Sequence, residues 1–179
     1  MSKIKDFIKS QKGKRILSIS ALVLWMGVIF FFSAQDDNSS SKASEVFENA
    51  VIKATVADID EKPLGDRNYI LFKVERFVRT SAHFFCFAVL GVLSIVVLNT
   101  YKIKNLIKVV VSVLFGSCNA LLDEVHQYFV PGRTFELNDI GFDTVGVLCG
   151  VFLSVAVMFI IQLTRAQKKE AGNKDVKNS

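Results

Sequence analysis

Four long apolar runs limit what this chain can become. Ile16 to Phe32 carries no charge over 17 residues, Thr80–Leu98 holds no Lys, Arg, Asp or Glu, and Leu106–Leu122 and Ile140–Leu163 hold one charge each, Lys108 and Asp143. A bilayer core roughly 30 Å thick takes about 20 predominantly apolar residues as a helix. In hydrocarbon every backbone polar group must be satisfied within the segment, which selects helices for runs of this length. The sequence therefore predicts an all-α, multi-pass membrane bundle of four transmembrane helices. Composition agrees: the chain is 51% hydrophobic, with 16 Phe against 3 Tyr and 1 Trp.

Charge sets the expected orientation. Residues 1–15, 99–108 and 164–179 hold 14 Lys and Arg against 3 acids, whereas 33–79 and 123–143 hold 8 bases and 14 acids. Short loops rich in Lys and Arg stay on the cytoplasmic side. Both termini are thus expected inside the cell, and the two long polar segments outside. This divides the chain into a basic N-terminus (1–15), a four-helix membrane domain (16–163) with extracytoplasmic segments 33–79 and 123–139, and a basic tail (164–179) expected to be unstructured. A basic start followed by an apolar run can also be a signal peptide. The first run is long for one, and Phe32-Ser33-Ala34 is a poor cleavage site, so a retained helix is expected. Within the first polar segment, Val46, Phe47, Ala50, Val51 and Ala54 have helical spacing, as in a short amphipathic helix lying on the membrane.

The net charge of +5 does not indicate a nucleic-acid partner. The bases flank apolar runs, and no nucleic-acid-binding motif is present. Cys86, Cys118 and Cys149 all fall inside apolar runs, an odd count with no disulfide pattern. They read as small buried hydrophobes.

The polar residues that remain converge. Arg79 and His83, four apart, share a helix face at the start of the second run. Asp123, His126 and Gln127 share a face at the end of the third, with Glu124 adjacent. Asp139 and Asp143 share a face at the start of the fourth, and that stripe continues as Gly146 and Gly150, small residues that let a neighbouring helix come close. The aspartate stripe is therefore expected to face into the bundle. Each residue also has a plain structural use. Arg79 can snorkel to the headgroups, Asp139 can cap the fourth helix, and Pro131-Gly132 makes a turn. Convergence of three helices, both charge signs and both histidines at one level is what points to a site.

The same residues resemble a known family. Trp25 with Phe32-Ser33-Ala34-Gln35, then Arg79-Thr80-Ser81-Ala82-His83-Phe84 with Leu90-Gly91, then Asp123-Glu124-Val125-His126-Gln127 with Pro131-Gly132-Arg133, Asp139 and Gly146-x-x-x-Gly150, resemble the motifs of the VanZ-like family. That family of small bacterial membrane proteins is named for an accessory factor in teicoplanin resistance. This chain departs from it at Thr80, where Lys is common, at Cys86-Phe87, where Glu-Tyr is frequent, and at Asp143, where Asn is frequent. A mechanism needing that glutamate could not run here.

The resemblance implies action at the cell envelope, on or near lipid-linked wall precursors, with lowered susceptibility to glycopeptides. Two further readings stand beside it. One is a membrane enzyme in which Asp123 or Glu124 forms an acid/base pair with His126 while arginines hold a phosphate-bearing lipid-linked substrate. The other is a purely structural salt-bridge network. The candidate acid/base residues are Asp123, Glu124 and His126. The candidate binding residues are Gln35, Arg79, His83, Gln127, Arg133, Asp139 and Asp143. No cofactor is expected, and no metal, since two histidines and four carboxylates lack any recognised ligand spacing. Expected partners are the lipid bilayer and a lipid-linked precursor or glycopeptide.

Overall fold

The computed structural model describes residues 2–34, 48–54 and 63–177. Helix α1 spans Ser2–Lys9, α2 Gln11–Ser33, α3 Leu64–Leu98, α4 Asn105–Gln127 and α5 Leu137–Lys177. Residues 48–54 are also helical. They are the second half of the expected amphipathic segment, and Val46 and Phe47 lie outside the described residues. There is no strand among the described residues.

Helices α2 to α5 are each long and apolar enough to cross a membrane. At 1.5 Å per residue, α3 is about 52 Å long and exceeds a bilayer's hydrocarbon core by some 20 Å. The excess is its polar start, Leu64 to about Val78, which the sequence joins to the apolar run without a break. Helix α5 likewise runs on through the tail expected to be unstructured, as far as Lys177. The physical reason is composition: Ala166 to Ala171 is AQKKEA, all good helix formers.

The bundle is built on α3 and α5, which pack together far more extensively than any other pair, while α2 sits at the periphery. Glycines set the closeness of that seam. A Cβ on Gly146 would fall on the Phe84 carbonyl oxygen, and one on Gly150 on that of Ala88. From the other side, a Cβ on Gly91 would strike the Val147 carbonyl oxygen. Small residues permit such backbone approach, and in a membrane it is dispersion across the contact that holds helices together. Phe87, Leu90, Ile95, Val147 and Val151 are fully buried around the seam.

Exposed side chains are apolar along the middle of the bundle, among them Phe31, Phe85, Leu114, Phe152 and Phe159. Such a surface suits lipid and is far beyond what a water-soluble monomer presents. Helix α2 is pinned to α3 by Trp25, whose indole Nε1 donates to the Cys86 carbonyl oxygen at 2.9 Å.

The chain's two kinds of polar segment separate to opposite ends. At one end Arg15 of α2 donates to the Thr100 carbonyl oxygen at 3.2 Å and lies 4.0 Å over the Tyr101 ring. This joins the basic start to the basic loop. At the other end, the last turn of α2 meets the end of α4, and the approach to α5 is tied to α3 and α4. The acidic constellation gathers there.

Candidate functional site

Helix α4 must stop at Gln127 because the chain turns sharply after it. The Val130 N–H bonds the Gln127 carbonyl at 2.9 Å and that of Arg133 bonds Val130 at 3.2 Å. Gly132 takes φ 85°, a left-handed conformation that glycine adopts without steric cost. This turn folds Arg133 back over the helix end, where its Nη1 donates to Gln127 Oε1 at 2.7 Å. Gln127 Nε2 in turn donates to Asp123 Oδ2 at 2.7 Å and stands 3.5 Å from Ser33 Oγ of α2. An amide has one accepting and one donating end, so Gln127 relays orientation from the Pro-Gly-Arg turn to a buried carboxylate.

Glu124 is 3% exposed and accepts the backbone N–H of Glu136. The Glu136 carboxylate pairs with Arg76 of α3. The start of α5 is therefore tied to both α3 and α4. Asp139 lies in the first turn of α5, which begins at Leu137, so it is not the N-cap that spacing alone allowed. Its own N–H bonds the Glu136 carbonyl at 3.0 Å. A carboxylate in a first helical turn still complements the helix dipole.

Asp143, one turn further, is 4% exposed, which places the aspartate stripe inside the bundle, as the glycine pattern indicated. His83 of α3 brings its Nδ1 to 3.7 Å from both Asp123 Oδ2 and Asp143 Oδ2. Three helices thus meet in three side chains. A cleft opens above them, about 250 Å³ with its mouth included, lined by Arg79, Thr80, His83, Gln127, Asp139 and Asp143. Within it there is room for about one water molecule.

The two histidines part company. His126 turns away from the cleft and stacks on Phe30 of α2, ring centroids 4.2 Å apart at 25°. The imidazole beside Asp123 is His83. Of the expected binding residues, Arg79, His83, Gln127, Asp139 and Asp143 share the cleft, and Arg133 reaches it through Gln127. Gln35 lies outside the described residues. Sequence reasoning did not single out Arg76, Glu136, Thr80 and Ser33. Arg76, Thr80 and His83 stand at i, i+4 and i+7, one helical face, so a signal was present for two of them. Ser33 stood inside the Phe32-Ser33-Ala34-Gln35 motif without a role of its own, and Glu136 gave no signal, because the fold alone makes it a neighbour of the site.

The family described as VanZ/LLP1 matches residues 18–161, nearly the whole of the bundle. The chain belongs to the VanZ-like family. No curated protein and no solved structure matches it. In this VanZ-like protein the motif residues divide by task. Trp25 and Ser33 fasten the peripheral helix, Gly91, Gly146 and Gly150 close the seam, and Arg79, His83, Asp123, Gln127, Arg133 and Asp139 build the cleft or hold its walls.

Proposed function

We propose that this protein works at the outer face of the cell membrane, where its cleft engages the polar head of a lipid-linked wall precursor and lowers susceptibility to lipid-anchored glycopeptides such as teicoplanin. The observation that carries the reading is the polar cleft at one end of a membrane bundle, walled by residues from three spanning helices. Ionisable groups at such a level are costly unless used. The charge partition supports an extracytoplasmic position, since the basic segments gather at the opposite end. Arg79 on the cleft wall suits an anionic oxygen, which guanidinium binds in a fixed, forked geometry.

The test is a susceptibility assay in a bacterial host expressing the wild type, Arg79→Ala, Arg133→Ala or His126→Ala, with membrane levels followed by immunoblot. Teicoplanin, vancomycin and bacitracin form the panel. The expected outcome is a raised teicoplanin threshold with wild type, lost with both arginine variants at equal protein level. A threshold unchanged by the wild type overturns the glycopeptide reading.

A further inference from the structure

The proposed function gives no separate role to the triangle formed by His83, Asp123 and Asp143, although both its aspartates are buried. One ligating atom from each residue lies within 4.8 Å of the other two. The two His83 distances, 3.7 Å each, exceed hydrogen-bond length. These groups face one another without joining. Two ligands held about 2.1 Å from a zinc ion at tetrahedral to trigonal angles stand about 3.4–3.6 Å apart. The two His83 sides, 3.7 Å each, are near that spacing, and the third lies within 4.8 Å.

A second observation is independent of this spacing. The Asp143 carboxylate, 4% exposed, lines the cleft and has the His83 imidazole as its partner, at a loose 3.7 Å. Two buried carboxylates that share one imidazole need a cation between them, either the protonated imidazole or a metal ion. Asp123 differs: Gln127 holds it at 2.7 Å, and Arg133 holds Gln127. The Gln127 bond falls on Oδ2, the same oxygen that faces His83, and so fixes the orientation of that carboxylate, as outer-shell partners do in metal sites.

We propose that His83, Asp123 and Asp143 bind one divalent transition-metal ion, zinc by preference, with a coordination position left open toward the cleft. One imidazole and two carboxylates favour zinc over calcium, which needs six to eight oxygens, and over magnesium, which keeps to octahedral oxygen geometry. Three protein ligands plus an open position is the arrangement of reactive zinc rather than closed structural sites. The site draws on residues 40 and 20 positions apart in the chain, which is why no ligand-spacing motif announces it. The inference goes beyond the envelope reading and stands whether or not a wall precursor is the ligand.

The alternative occupant of the triangle is a proton: His83 as imidazolium between the two aspartates, with no ion. Tag-free protein in nanodiscs, stripped with chelator, separates the two. Zinc content after re-addition is read by elemental mass spectrometry, affinity by competition with a chromophoric chelator, and geometry by the visible absorption of Co²⁺ in the same place. The expected result is one equivalent per chain. His83→Gln and Asp143→Asn each weaken binding by at least about 100-fold, and Gln127→Ala by about 10-fold, as for loss of an outer-shell partner. His126→Gln, the chain's other histidine, retains the zinc. Wild-type protein that takes up no zinc and shows no Co²⁺ ligand-field band overturns the proposal without reference to any variant. So does equal uptake by wild type and by a His83→Gln, Asp143→Asn double variant of unchanged size-exclusion profile.

Discussion

The α3–α5 seam and the cleft at its end are made of opposite materials. The seam works by what is missing: at Gly91, Gly146 and Gly150 there is no side chain, and each missing Cβ admits a carbonyl of the facing helix. The cleft works by what is crowded in: Asp123, Glu124, Gln127 and Asp143 are all buried, on two helices, within a few turns of one another. Lipid explains both. Where the solvent is hydrocarbon, apolar side chains gain little by leaving it, so close backbone contact holds the helices. Polar groups in that solvent cannot be left alone, so they are gathered and bonded at one end. The seam sets the distance between α3 and α5, and that distance puts His83 within 3.7 Å of Asp143.

Filling the seam should have the largest consequence. Gly150→Leu puts a branched side chain where even a Cβ meets the Ala88 carbonyl. Overpacking usually costs about 1–3 kcal/mol, and here the obstacle is backbone, which cannot rotate away. The expected outcome is loss of the protein from membrane fractions. Gly141→Leu on the same helix has open space around it and is expected to accumulate normally. Immunoblots of membrane fractions compare the two, and equal loss would mean that α5 tolerates no leucine at all.

These two regions also differ in how far the sequence revealed them. The four spans, the glycine stripe and the inward aspartates were legible because lipid demands long apolar runs and helical periodicity exposes the stripe. The cleft was legible only by residue type. That Asp123 faces His83 and not the nearer His126 depends on α3 and α4 coming together, which no local pattern encodes. His126 shares a helix face with Asp123 by spacing, yet Phe30 takes its ring. Glu136 lies in a connection whose path only the Gly132 turn determines. The helical tail was missed for a different reason: polarity argued against structure, and α5 simply continues outward from a stable start.

A middle-sized effect distinguishes walls from contents. Phe87 is fully buried in the seam, and Phe87→Ala opens a void. Such changes cost about 3–5 kcal/mol in soluble cores. Less is expected here, since lipid solvates the exposed ring nearly as well and only the packing share is lost. Thermal unfolding in detergent should fall clearly for Phe87→Ala, whereas Arg133→Ala should keep its midpoint and, on the proposed function, lose any rise in the teicoplanin threshold that the wild type gives. A common fall in both would make the Arg133–Gln127 link a structural clamp and erase the distinction drawn here.

A smaller effect lies at the rim. Arg76 and Glu136 are partly exposed, 34% and 27%, and pairs of that kind contribute about 0.2–1 kcal/mol. Swapping the charges, Arg76→Glu with Glu136→Arg, should recover what either single change loses, read as a coupling energy in a double-mutant cycle. No recovery would mean that Glu136 acts through its backbone N–H on Glu124 and not through its carboxylate.

The smallest expected effect falls on the peripheral helix. Trp25→Phe keeps the ring's apolar bulk and removes one hydrogen bond, from Nε1 to the Cys86 carbonyl. That carbonyl sits within α3 and keeps its helical partner, so nothing buried is left unsatisfied. The loss should be about 1 kcal/mol or less. The variant should still insert, with α2 less firmly held and cysteine cross-links from α2 to α3 forming less completely. Because Ser33 stands near Gln127, a loosened α2 should also soften the cleft. A Trp25→Phe protein with unchanged cross-linking and unchanged zinc uptake would show that α2 is held by Phe30 stacking on His126, and that the site needs only α3, α4 and α5.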